Sequence, residues 1–416
     1  MPRDLRLLAA AVALSAAGDM LLVVVLALRV HDLTGSGFAV SALFGALMLP
    51  VVLLAPFAGR LVDRVETRRV LLCVSLAQAV VAAGLVLAGG LVPILLLTAL
   101  LGAGAAIAGP AEAALVPATI DEDRLAKANG WVETARYAGF TAGPLLAGLL
   151  TALGGTGLGL AANAVSFAAV ALAATLLHAR RHPTLTQPSR GSDPLETQPS
   201  RGSDPVEGGR GLRLLLDDPV LRPTLGAAVA ALVVISAVMT AEVFYVRDVV
   251  GAGATGYAIV FAGWMAGMVA GAVGIASRIK GPLAVAALLA LAVQGGGVVL
   301  AALWATLAFV LAANVVGGVG HGVKNVLLRT LIQQRVPRHA HGRAFAAYNA
   351  ARNTAELGAL AASGITVATF GAQTAVLIAG LGPVIAAALG LAALGYRPSR
   401  AAAFSRRTAD ATSSGS

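Results

Sequence analysis

The chain has little charge, few aromatic rings and almost no cysteine. Only 12% of its 416 residues are charged and 5% aromatic, against 58% hydrophobic and a mean hydropathy of +0.83. A water-soluble domain of this size carries about a quarter charged residues, so that class is excluded. Cys73 stands alone, which excludes an intrachain disulfide and a cysteine-rich metal site. G-x-S-x-G, H-E-x-x-H and a phosphate loop after a strand are all missing, and the histidines are scattered. No enzymatic constellation, metal site or cofactor is expected, nor a nucleotide domain for an ATP-driven pump.

What is present is a series of long apolar runs. A hydrocarbon core about 30 Å thick takes roughly 20 helical residues at 1.5 Å each. Twelve such runs are predicted, at 7–28, 38–57, 70–87, 91–116, 128–153, 157–177, 225–246, 256–276, 282–302, 304–328, 345–370 and 374–394. They are continuous and do not alternate with period two, which predicts helices and not barrel strands. The ninth and tenth abut, because nothing charged lies between Lys280 and Lys324; a break near Ala302 to Trp304 puts the indole at an interface. The first run lacks a clear small-residue cleavage site and is expected to remain as a helix.

Two halves are expected: a bundle at 1–178 and another at 223–396, joined by a linker at 179–222 and followed by a disordered tail at 397–416. The linker repeats itself as "TQPSRGSDPLE" (186–196) and "TQPSRGSDPVE" (197–207), a composition that cannot bury a core. After it, "GLRLLLDDPVLRPTL" (211–225) reads as a short interfacial helix. "VHDLTGSG" (30–37) and "VRDVVGAG" (246–253) agree at four of eight places with an offset of 216, which Arg136 and Arg352 share. Asp32 and Asp248 read here as turn formers beside glycines. Six-helix repeats in one orientation form a substrate site at their interface near mid-membrane and alternate its access.

Lys and Arg are distributed very unevenly. The N-terminus, even-numbered loops and tail hold 25 of the 30, odd-numbered loops hold only Arg29 and Arg247, and three lie within spans. Both termini are therefore expected in the cytoplasm, with the protein multi-pass in the inner (plasma) membrane. The net charge of +10 is then a topology signal, and the lipid bilayer, not nucleic acid, is the expected partner.

The interior charges are few. Asp19, Glu112, Glu242 and Lys324 occupy the first, fourth, seventh and tenth runs; Glu133 and Arg136 share the fifth, Arg352 and Glu356 the eleventh. A carboxylate at mid-bilayer costs about 2.5–3.5 kcal/mol on insertion scales, so such residues are expected to face a wet cavity and carry function. Asp19, beside Gly18 at mid-span, is the primary candidate for exchanging protons as access alternates. Glu133 with Arg136 (i, i+3) and Arg352 with Glu356 (i, i+4) lie on single helical faces and can neutralise each other. Asn314, His321 and Asn325 share the tenth run with Lys324, and His321 suits a proton carrier. The excess of acids over Lys324 favours a cationic cargo.

Two signature segments and four shorter phrases carry a family resemblance. "AGRLVDRVETRRVLL" (58–72) resembles the cytoplasmic loop signature of the major facilitator superfamily, with Gly59, Asp63, Arg64, Arg68 and Arg69 as the gate loop and Glu66 in place of a second glycine. "GFTAGPLLAG" (139–148) resembles its antiporter signature through Gly139, Gly143, Pro144 and Gly148, which implies export. "LTGSGFAV", "GPAEAALVP", "AKANG" and "LLLDDPVLRP" are similar to the twelve-span branch of enterobactin-exporter-like and macrolide-efflux-like proteins. Thr98 stands where the family's fourth-span Arg would be, which leaves Asp19 and the Arg136 and Arg352 groups to move protons. The expected fold class is an all-α integral membrane protein, twelve transmembrane helices in two pseudo-symmetric six-helix bundles. The expected function is a monomeric secondary active transporter, a proton-coupled exporter of a small amphipathic drug, antibiotic or metabolite. An uptake carrier, or a membrane sensor on the same scaffold, is the alternative.

Overall fold

The computed structural model describes residues 2–120, 125–178, 212–337 and 340–395; the duplicated linker segment and the tail lie outside them. Twelve long helices run in chain order: α1 (Arg3–Thr34), α2 (Gly37–Arg64), α3 (Thr67–Leu87), α4 (Leu91–Leu115), α5 and α6 within Leu125–Leu176, α7 (Leu221–Val249), α8 (Gly253–Arg278), α9 (Leu283–Leu303), α10 (Leu307–Arg335), α11 (His341–Phe370) and α12 (Ala372–Ala393). α5 and α6 part at Gly154 and Gly155, where φ of +69° at Gly155 suits a residue without Cβ. α9 and α10 part after Leu303, one residue from the expected break. The polar α11 carries Arg343, Arg352 and Glu356.

The halves pack on one plan. In the first, α2 lies on α4, and α3 on α4 and α6; in the second, α8 lies on α10, and α9 on α10 and α12. Between membrane helices the apolar effect gives no net attraction, so close packing of small residues decides the contacts. The glycines show it. A Cβ at Gly102 would meet the Leu47 carbonyl, and one at Gly318, 216 residues on, would meet the Trp264 carbonyl. α1 and α7, the first helices of each half, are the most enclosed.

Contacts between the halves gather on the side away from the start of α1 and the end of α12, here the distal side, the opposite one being the terminal side. α5 meets α8 where Gly148 packs on Ala258, and α2 meets α11 where Gly364 packs on Phe38 and Ser41. Glycines 148 and 364 are repeat equivalents, so the two crossings are related by the same pseudo-two-fold. Between α2, α7 and α11 the buried hydroxyls of Ser41, Thr240 and Ser363 close a triangle with sides of 3.2, 2.8 and 2.9 Å.

Asp32 and Asp248, expected as turn formers, lie instead within the last turn of α1 and the π-helical end of α7; across the seam Asp32 is ion-paired with Arg247 and Asp248 lies 3.1 Å from His31 Nε2. Their carboxylates have partners to meet in the other half, which outweighs any local backbone preference. The two odd-loop arginines also have fixed roles: Arg247 pairs with Asp32, and Arg29 donates to the carbonyls of Leu85 and Ala88 at the end of α3. A cation there complements the negative end of the helix dipole.

On the terminal side, residues 212–216 form the short helix expected after the linker, with Leu215 in the core of the second half and Leu212 and Leu216 exposed. Asp218 follows it, accepts from the backbone N–H of Val220 and Leu221, and takes Arg335 Nε at 2.9 Å. It therefore caps α7 and ties its start to the end of α10. Partial burial works against its ionisation, but those N–H groups and the guanidinium outweigh it and hold the carboxyl below the usual carboxylate range.

Candidate functional site

A cavity of about 230 Å³ lies between the halves. Its walls are mostly apolar: Met20, Leu22 and Val23 of α1, Leu47, Met48, Val51 and Val52 of α2, Leu101 and Ala105 of α4, Phe167 of α6, and Leu357 of α11. Four polar side chains enter it, Asp19 from α1, Gln78 from α3, and Asn353 and Glu356 from α11. Two carboxylates from opposite halves thus face one small, greasy space. Such groups are tolerated there when a proton or a cation compensates them.

Asp19 owes its place to α1, whose neighbouring Gly18 admits α6. A Cβ at Gly18 would lie 2.8 Å from Asn163 Oδ1 and clash with Ser166 Oγ, so the missing side chain makes room for α6 and not for water. Beyond Asp19, within its electrostatic reach, lie Glu112 and Arg136. Glu112 of α4 is buried, with Arg136 Nη2 3.4 Å from its Oε2 and a hydrogen bond from Ser15. Arg136 is 3.7 Å from Glu133, which is exposed. The principal partner of Arg136 is therefore Glu112 on another helix, and Glu133 is a rim contact. The line Asp19–Glu112–Arg136 runs from the cavity into the first half.

The second half is arranged differently. Arg352 lies 4.0 Å from Glu356 along α11. Lys324 is buried and does not line the cavity, its Nζ donating to Gln294 Oε1 at 2.9 Å. His321 lies 5.7 Å from the Trp264 ring, and its Nδ1 is buried with no partner among the described residues. Asn314 donates to the Val310 carbonyl of its own helix, and Asn325 does not line the cavity. Glu242 of α7 is buried near Tyr257, away from the cavity. α7 itself breaks into two helical pieces at Ser236 and Ala237. Those positions are the repeat equivalents of Met20 and Leu21, just past Asp19.

Residue reasoning missed Gln78 and Gln294. A neutral amide gives no charge signal, but the two are 216 apart, so the offset would have found them.

The antiporter-like segment lies along the first helix. A Cβ on Gly139 would meet the Ala13 carbonyl and Ala16, and one on Gly143 would lie 2.5 Å from the Ala17 carbonyl and 2.8 Å from Met20. Pro144 is buried between these crossings and the Gly148 contact. Of the gate loop, Arg68 donates to the carbonyls of Ala174 and Thr175 at the end of α6, and Arg69 pairs with Glu66 at 2.8 Å. Arg64 is exposed, and the side chains of Gly59 and Asp63 lie outside the described residues.

Twelve helices in two repeats around a central cavity have a sequence counterpart: residues 8–360 match the Major Facilitator Superfamily. The chain belongs to that superfamily. It is a membrane transporter of the facilitator type. No curated protein matches it. Among solved structures, the nucleoside transporter NupG is 13% identical, with 95% of this chain and 100% of that one covered at a TM-score of 0.73. A bacterial homologue of the iron transporter ferroportin, inward-facing, is 18% identical over 95% and 99% with a TM-score of 0.67. A bacterial homologue of the human lysosomal transporter Spinster, inward-facing and unoccupied, is 16% identical over 94% and 96% with a TM-score of 0.65. At these identities the likeness speaks to the facilitator fold alone.

Proposed function

We propose that this facilitator is a proton-coupled exporter of small, amphipathic, cationic molecules, with Asp19 as the coupling carboxyl. The observation that carries the reading is the presence of Asp19 and Glu356, one from each half, in a cavity walled mostly by aliphatic side chains, methionines and one phenylalanine, with the neutral amides of Gln78 and Asn353 beside them. A protonated amine on an apolar body satisfies both features. A proton and the cargo then compete for the same charge, which makes the exchange obligatory. Export is supported by the resemblance of residues 139–148 to the antiporter signature. The excess of Lys and Arg on the terminal side supports an orientation with the termini in the cytoplasm and the closed distal side outside.

Energised cells provide the test. Cells expressing the protein should accumulate less of a cationic dye such as ethidium than cells without it, and a protonophore should abolish the difference. Asp19→Asn should abolish it too. A higher accumulation in expressing cells would identify an uptake carrier, and no difference across cationic, neutral and anionic probes would remove the transport reading.

A further inference from the structure

The segments "VHDLTGSG" and "VRDVVGAG" play no part in the transport cavity, yet their side chains meet across the distal seam. Residues 31 and 247 are repeat equivalents, as are 32 and 248. The pairing is crossed: His31 Nε2 of the first half lies 3.1 Å from Asp248 Oδ2 of the second, and Arg247 of the second half pairs with Asp32 of the first. A two-fold axis between the halves requires this reciprocity, since a contact from 31 to 248 implies one from 247 to 32.

The two arms differ in chemistry. Arginine is permanently charged, whereas imidazoles as a class change charge around neutral pH. Both ring nitrogens of His31 face carboxylates, Nε2 toward Asp248 and Nδ1 3.4 Å from Asp32. A neutral imidazole has one N–H, so only the imidazolium donates to both. With that proton the four groups carry two positive and two negative charges; without it, one negative charge is left over. The ring lies against Phe244 with centroids 4.7 Å apart, while both carboxylates are about half exposed to the distal side. Among the described residues, Asp32, Asp248 and Arg247 are the charged groups at the ring. Arg29, the next charge along α1, is bonded to the end of α3.

We propose that these crossed pairs latch the distal gate, and that proton binding at His31 closes the latch. The closed gate offers the ring two carboxylates, and separating the halves withdraws Asp248. The closed state thus binds the proton more tightly, so falling pH populates it. With the distal side outside, an acid exterior drives the return from outward-open to outward-closed, a proton-dependent step separate from Asp19. This inference needs alternating access but not the direction or cargo proposed above.

The test uses the full chain with Cys73→Ala, so that spin labels attach only where cysteines are introduced. Leu87→Cys and Leu303→Cys place them on exposed, repeat-equivalent residues at the distal ends of α3 and α9. The distance distribution in lipid nanodiscs at acid and alkaline pH reads gate closure. The short-distance population should grow at acid pH. His31→Gln, which keeps a hydrogen-bonding side chain without the charge, should remove about half or more of that growth. Arg247→Asp should lengthen the distances at both pH values, and adding Asp32→Arg should restore the short ones. An undiminished pH response in His31→Gln overturns the proton-sensing arm, and an unchanged distribution in Arg247→Asp overturns the latch.

Discussion

At position 105 the first half has alanine, and at the equivalent position 321 the second has histidine; 48 and 264 are Met and Trp, and 108 and 324 are Ala and Lys. Yet Gln78 and Gln294 are the same, as are Gly102 and Gly318, and Gly104 and Gly320. What the halves share are the residues that set how closely helices approach, because a Cβ at either member of these glycine pairs would collide with the neighbouring helix. What they do not share is the chemistry between those contacts. In the first half these positions carry small or unbranched side chains beside the cavity that Asp19 enters; in the second they carry Trp264, His321 and Lys324. Backbone packing constrains both repeats equally, whereas the facing side chains are free to diverge, and the charge asymmetry between the halves arises there.

Substitutions at equivalent positions break or sharpen that contrast. The largest effect is expected at the shared glycines: Gly102→Leu and Gly318→Leu should each cost about 3 kcal/mol or more, and equally, because each side chain runs into a carbonyl that cannot move alone. Thermal melting in detergent reads this, and tolerance at one site only would show that the halves are not packed alike. The two arginines should differ. Arg136→Gln strands the buried Glu112 and should cost about 2–4 kcal/mol, while Arg352→Gln, at a side chain 45% exposed, should cost under about 1 kcal/mol. Equal losses would make the first-half charge line ordinary.

Lys324→Met should cost about 1–2 kcal/mol, since Gln294 Oε1 loses its donor while an apolar side chain fills the space. Asp218→Ala should cost about 1 kcal/mol for a lost helix cap. Its pH dependence has a defined sign. The folded carboxyl titrates below the unfolded one, so its contribution is complete above the ordinary carboxylate range and is lost as pH falls through the lowered value. A melting-temperature difference between the parent and Asp218→Ala that persisted in strong acid would contradict the capping role.

The helices were legible in the amino-acid order because a bilayer demands long apolar runs, and even the crowded junction of α9 and α10 was placed to within a residue by Trp304. The charged residues worth watching were legible for the same reason, since each is costly in oil. Their partners were not. Glu112 and Arg136 are 24 residues apart on different helices, and they meet because α4 and α5 both pack against α1. The Asp32 and Asp248 pairings were missed because a carboxylate next to glycines signals a turn locally, and the opposing cation lies in the other repeat. Doubling the motif across its pseudo-two-fold, as Gln78 and Gln294 also allow, is the sequence operation that would have exposed them.

The central claim is that Asp19, in the cavity between the halves, links cargo movement to protons. Purified protein in liposomes with an imposed pH gradient tests it most directly, with a fluorescent cation followed in the parent and in Asp19→Asn. The gradient should drive accumulation in the parent, while the variant should still exchange labelled for unlabelled cation but accumulate none. Gradient-driven accumulation in Asp19→Asn equal to that of the parent would contradict the account.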